Sequence, residues 1–131
     1  MRVWVCLLLS ALGLPAQAAW TYLGNLDGDT VLIDKSTLVQ KKRNATIWML
    51  TNYGAPTIQE VLSVSKWIEF DCDKNKYRYL AVYGYEGQMQ TGAKLIHNPT
   101  TGAWGNVEYG SIFKSIQNHA CLRYPLIRPA K

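Results

Sequence analysis

His97 and His119 are the only imidazoles in the 131-residue chain, so a serine or cysteine nucleophile would have to draw its base from one of them. His97 stands in His97-Asn98-Pro99-Thr100, which reads as an exposed turn. His119 falls in the last turn of a helix, where the dipole favours an imidazolium. Neither follows a nucleophile elbow and no G-x-S-x-G occurs, so serine-type catalysis is not expected. Glu69 and Asp71 lie two apart on one strand face, a spacing open to a glycosidase-like carboxylate pair. Lys66, Lys74, Lys76 and Arg78 are close in sequence, however, and cross-strand ion pairs are the expected use of these acids. Asn25-x-Asp27-x-Asp29 begins like a calcium loop, but its twelfth position is Ser36 instead of glutamate, which leaves a polar hairpin turn. There is no glycine-rich phosphate loop and no short motif for a haem-ligand pair. The residues call for no enzyme, no metal and no cofactor.

Recognition is better represented than catalysis. Tyr77, Tyr79, Tyr83 and Tyr85 fall at strand spacing on one face, and Trp67 belongs to a neighbouring strand. Leu80 and Val82 point the other way, toward a helix bearing Ile112, Phe113 and Ile116. The tyrosines and Trp67 are therefore the candidate partner-binding residues, because such side chains join an apolar body to a hydrogen-bonding tip. The competing reading, which stays open, is that the stripe lies under a loop or decorates an open sheet.

The cysteines divide by compartment. Arg2 and the apolar run Val3 to Leu14, followed by Pro15 and Ala16-Gln17-Ala18, form a signal peptide over residues 1–18, with the mature chain starting at Ala19 or Trp20. A helix of that run spans about 18 Å, too short for the roughly 30 Å of a bilayer core, and no later stretch is apolar enough to span. Cys6 sits too early in the run to be a lipid-attachment cysteine and leaves with the leader. The remaining domain, residues 19–131, is expected in the periplasm, secreted or at the cell surface, not lipid-anchored. In an oxidising compartment its two cysteines, Cys72 and Cys121, are expected to pair. A metal pair or a reactive thiol is the alternative, but there is no CxxC and no histidine cluster to support one.

Those groups must be held by one domain of about 112 residues. Trp20 to Gly24 reads as a strand, Asp27-Gly28 as a turn, and Thr30 to Asp34 as the returning strand. Asp34 to Leu38 reads as a helical turn or bend. Thr46 to Asn52 is a strand. From Ser63 to Cys72 the pattern alternates, with Val64, Ile68, Phe70 and Cys72 on one face and Ser63, Ser65, Trp67, Glu69 and Asp71 on the other. Lys76 to Tyr85 follows a turn at Lys74-Asn75, and Gln88 to Ile96 is a further strand loosened at Gly92. Ser111 caps a late helix whose apolar positions are Ile112, Phe113, Ile116 and Ala120, ending at Cys121. The fold class is α+β: an antiparallel sheet of about six strands, one C-terminal helix on it, and one disulfide.

The net charge of +5 falls to +4 with Arg2 removed. Its one basic cluster, Lys41-Lys42-Arg43, reads as a hairpin tip, and an exported protein meets little nucleic acid. Anionic lipid, lipopolysaccharide or a heparin-like glycan would be the acidic partner of that tip.

The ordered set Asp34-Lys35-Ser36, Trp48, Ser65-Lys66, Glu69-Phe70-Asp71-Cys72, Arg78, Gly92, Trp104, Gly110-Ser111 and Cys121 resembles the surface-adhesin protein E-like domain family of Gram-negative bacteria, over roughly Trp20 to Cys121. The resemblance implies an antiparallel sheet with an attached C-terminal helix. It also implies adhesion: the best-known relative is a lipid-anchored surface protein that binds host matrix and serum proteins, and haem has been linked to it. The matching residues read as architectural. Two functions follow. One is an adhesin-like binding module docking a protein, a glycan or a second copy of itself as a homodimer. The other is a periplasmic structural or enzyme-inhibitor-type protein with no adhesion role.

Overall fold

Asp27 and Gly28 both take positive φ, 51° and 89°. A two-residue turn of that hand matches the twist of paired strands, and it joins β1 (Trp20–Leu26) to β2 (Asp29–Lys41). The computed structural model describes residues 19–123; the expected export segment with Cys6, and the chain after Arg123, lie outside the described residues. Lys42 and Arg43 form the next turn, placing the basic cluster at a hairpin tip, and β3 (Asn44–Asn52) returns from it. β4 (Ser63–Asp71), β5 (Lys76–Tyr85), β6 (Lys94–Asn98) and the short β7 (Gly105–Asn106) complete the sheet. Its order is β1-β2-β3-β4-β5-β6, every neighbour antiparallel, with β7 beside β5.

The core lies on one face, under α1 (Ile112–Ala120). Val31, Ile33, Ile47, Met49, Ile68 and Phe70 rise from β2, β3 and β4 to meet Ile116 and Ala120. Each such fully buried large side chain stabilises the fold by about 1.5–3 kcal/mol. The alternation expected from Ser63 to Cys72 is what makes this possible, since Ile68, Phe70 and Cys72 are all buried there. Ser111 caps the helix, its Oγ accepting from the Lys114 N–H at 3.2 Å. Cys121 ends it and is bonded to Cys72, one residue past β4. Buried Gln117 donates to the Asn75 side chain at 3.0 Å and accepts from Lys114 Nζ, so its amide is satisfied.

Four local expectations are corrected. The stretch Asp34 to Leu38 is no helical turn: β2 runs through it with an interruption in register, Asp34 pairing with Trp48 and Val39 with Thr46. Side chains replace the missing ladder bonds there. Asp34 Oδ1 accepts from the Ser36 N–H at 3.0 Å, and Thr37 Oγ1 accepts from the Trp48 N–H at 3.0 Å while donating to the Asp34 carbonyl. Gln88 to Ile96 is not one strand, because Met89 and Gln90 take φ of 55° and 61° in a 3-10 turn and β6 begins only at Lys94. His97 is not in a turn but within β6, opposite Tyr83.

The fourth correction concerns the tyrosines. Trp67 pairs with Ala81 but Ile68 pairs with Tyr79, so Leu80 is an extra residue in β5. A bulge of this kind reverses which face each later side chain takes. Tyr77 and Tyr79 therefore lie on the helix side, whereas Tyr83 and Tyr85 lie on the other. Leu80 and Val82 are parted as well: Leu80 sits beside Trp67, away from the helix, and Val82 is opposite Lys66 on the helix side.

Candidate functional site

On the helix side the tyrosines serve packing. Tyr77 stacks on Phe113 at 4.4 Å and meets Phe70 at 6.5 Å, and Tyr79 lies 6.3 Å from Phe113. Burial pushes the Tyr79 phenol well above its ordinary value, and Tyr77 beside it adds to the shift. Lys66 Nζ sits 4.8 Å from the Tyr79 ring, and its own ammonium is held below the ordinary lysine value by burial.

The face without the helix carries the other aromatics. Trp48 of β3 and Trp67 of β4 are register partners and stack with centroids 6.0 Å apart and planes 7° from parallel. Trp48 also stacks with Tyr83 of β5 at 5.7 Å, across the intervening β4, which presents the small, fully buried Ser65 opposite Tyr83. Tyr83 in turn stacks with His97 at 5.0 Å. The result is a run of rings, Trp67, Trp48, Tyr83 and His97, spanning four strands. Beyond Trp67, Arg78 donates to Glu69 at 2.6 Å and lies 4.3 Å above Trp104. Glu69 is thus committed to an ion pair, and Asp71 accepts from the backbone N–H groups of Asp73 and Lys74, with Arg43 at 3.8 Å. Neither acid is placed as half of a catalytic pair.

A cavity of about 300 Å³ opens beside Tyr83. Trp20, Trp48, Tyr83 and Tyr85 are its aromatic lining residues, Asp34 is a buried acidic one, and Thr37, Gln90 and Lys94 complete the lining. Its lining comes from β1, β2, β3, β5 and β6 and from the β5–β6 connection. Trp20 of β1 pairs with Asp34 of β2, which pairs with Trp48 of β3. The β5–β6 connection is tied over one end, because Ser63 Oγ donates to the Gly87 carbonyl at 2.6 Å and accepts from the Gln90 N–H at 3.0 Å. Lys94 Nζ lies 4.5 Å from the Tyr83 ring and 5.8 Å from Tyr85. Such a cavity suits a small group with an apolar body and a polar or charged point.

Of the residues singled out in the sequence, Trp67, Tyr83 and Tyr85 come together on this face, and Tyr77 and Tyr79 do not. Trp20, Asp34, Trp48 and Lys94 were missed. Asp34 and Trp48 belong to the ordered set that carries the family resemblance, so a signal existed, but both were assigned an architectural part. Among the described residues no three His, Cys, Asp or Glu side chains are grouped to hold a metal ion. Nor is any helix there long and apolar enough to cross a membrane.

Solved structures of similar fold include those of Haemophilus influenzae protein E. One crystal form matches with a TM-score of 0.62 at 11% identity, covering 84% of this chain and 92% of that one. A selenomethionine form matches with a TM-score of 0.58 at 13% identity, covering 79% and 87%. Protein E from a non-typeable strain gives 0.57 at 9% identity, covering 83% and 81%. At such identities the likeness is one of fold. No curated protein matches the chain. The sequence profile of the surface-adhesin protein E family matches residues 20–122, nearly all of the described chain. The chain belongs to the surface-adhesin protein E family.

Proposed function

We propose that the protein is an exported, non-enzymatic binding module that docks a protein or glycan partner through the aromatic face opposite α1. The observation that carries this reading is the run of Trp67, Trp48 and Tyr83, stacked across three strands on the side the helix leaves open. Trp67 retains 37% of its surface and Trp104, beyond it, 38%. Rings of this kind contribute disproportionately to interfaces, since they bury large area at low entropic cost and still offer polar tips. Membership in a family named for a surface adhesin supports the same reading. In this view residues 1–18 direct export and are removed, and Tyr83, Tyr85, Trp67 and Trp48 contact the partner, while Tyr77 and Tyr79 act only through the fold.

The test is capture of matrix proteins and glycans by the purified protein, with cell fractionation alongside. Surface location and capture that fails in Trp67→Ala and Tyr83→Ser, both still folded, are the expected results. A purely periplasmic location with no capture would favour a structural or inhibitor-type role instead.

A further inference from the structure

We infer that the cavity framed by Trp20, Trp48, Tyr83 and Tyr85 accepts a quaternary ammonium group, and that Lys94 holds that position in the free protein. This rests on the aromatic face being a binding surface and names the chemistry of its ligand.

Three observations converge. The first is that a cation already lies there: Lys94 Nζ is 4.5 Å from the centroid of Tyr83 and 5.8 Å from that of Tyr85. Both distances fall within the range where a ring quadrupole attracts positive charge. The second is Asp34, an acidic residue only 3% exposed that lines the same cavity. A buried negative charge beside aromatic rings favours a positive guest, because little solvent is present to screen it.

The third is what ring faces can and cannot offer. A primary ammonium brings three N–H donors, and a ring face does not replace the hydrogen bonds those donors make to water. A quaternary ammonium has no N–H to satisfy and is served by ring faces and a nearby negative charge. The cavity, about 300 Å³, is at the small end of ligand sites, which suits a head group better than an extended chain. Lys94 is the exposed first residue of β6, and its long stem can carry the ammonium outward when a guest arrives.

The experiment titrates the purified protein with choline chloride and tetramethylammonium chloride, following tryptophan fluorescence, with sodium chloride at equal ionic strength and glucose as controls. Both ammonium salts should give a saturable change and the controls none. Lys94→Ala should tighten binding severalfold, because the competing cation is gone. Asp34→Asn, which keeps the Oδ1 acceptor, should weaken it by about tenfold, equivalent to roughly 1.4 kcal/mol. Absence of saturation in the normal protein and in Lys94→Ala, or weaker binding after Lys94→Ala, would overturn the inference. If ammonium binding fails while partner capture still depends on Tyr83 and Trp67, only this inference falls. If capture fails too, the reading of the face falls with it.

Discussion

Phe113 lies face to face with Tyr77, ring centroids 4.4 Å apart and planes 10° from parallel. That contact commits one pair of tyrosines to holding the helix and leaves the other pair free of it. Tyr77→Ser should therefore cost about 3 kcal/mol or more, as for loss of a core aromatic. Tyr85→Ser should move the melting temperature little, and Tyr83→Ser should lose about 0.5–1.5 kcal/mol of ring stacking. Thermal unfolding of the three variants checks this ranking, and equal losses would contradict it.

Alkaline stability should carry the mark of Tyr79 and Lys66. The Tyr79 phenol is raised above 10.0 by burial, with Tyr77 adding to it. Its contribution is full below about 10 and is lost as pH rises through the folded value, because the unfolded chain ionises first. Lys66 acts oppositely. Burial lowers it from 10.5, so the unfolded chain binds the proton more tightly, and stability rises as pH climbs from the lowered value toward 10.5. Denaturant unfolding against pH should show a gain followed by a loss. Lys66→Met should remove the gain, and Tyr79→Phe should reduce the loss.

The Cys72–Cys121 bond closes a loop with a sequence separation of 49. For such a loop the chain-entropy treatment gives about 4 kcal/mol. Cys121→Ser should unfold at markedly lower denaturant and be cut faster by protease. Thiol titration of the native protein should find neither Cys72 nor Cys121 free.

Deleting Leu80 should be far milder than deleting Val82. Leu80 is the surplus residue, and without it Tyr79 and Ala81 stay opposite Ile68 and Trp67, so every tyrosine keeps its face. Deleting Val82 instead shifts the strand beyond Ala81 by one residue, turns Tyr83 and Tyr85 toward the helix side, and should destabilise by several kcal/mol. Comparable denaturation midpoints for the two variants would show that the bulge does not set the phase.

This is also where the sequence stops being legible. Asp27-Gly28, the alternation through Ile68 and Phe70, the Ser111 cap and the cysteine pair each carry a local chemical signature, and each reads correctly. The bulge has none. Tyr79-Leu80-Ala81 is an ordinary strand composition, and only pairing with β4 reveals that one residue is surplus. Asp34 to Thr37 misled for the opposite reason: polar residues typical of a bend are used there to bridge an interrupted strand. Asn98-Pro99 signals a turn at His97, although the strand persists to Asn98. The cavity was invisible as a unit, since Trp20, Asp34, Trp48 and Lys94 meet only through the register of separate strands. Tyr83 is legible because Tyr85 follows it at strand spacing.

The strictly consecutive strand order has a bearing on how the molecule assembles. Every strand from β1 to β5 pairs with its immediate successor, so the sheet can grow hairpin by hairpin with only short loops to close at each step. The long-range contact is made by α1, at the end of the described chain, which folds back across β1, β2 and β3. That docking sets the Cα atoms of Cys72 and Cys121 5.7 Å apart, within the reach of a disulfide. The bond thus fastens a helix from the end of the described chain across strands laid down near its start.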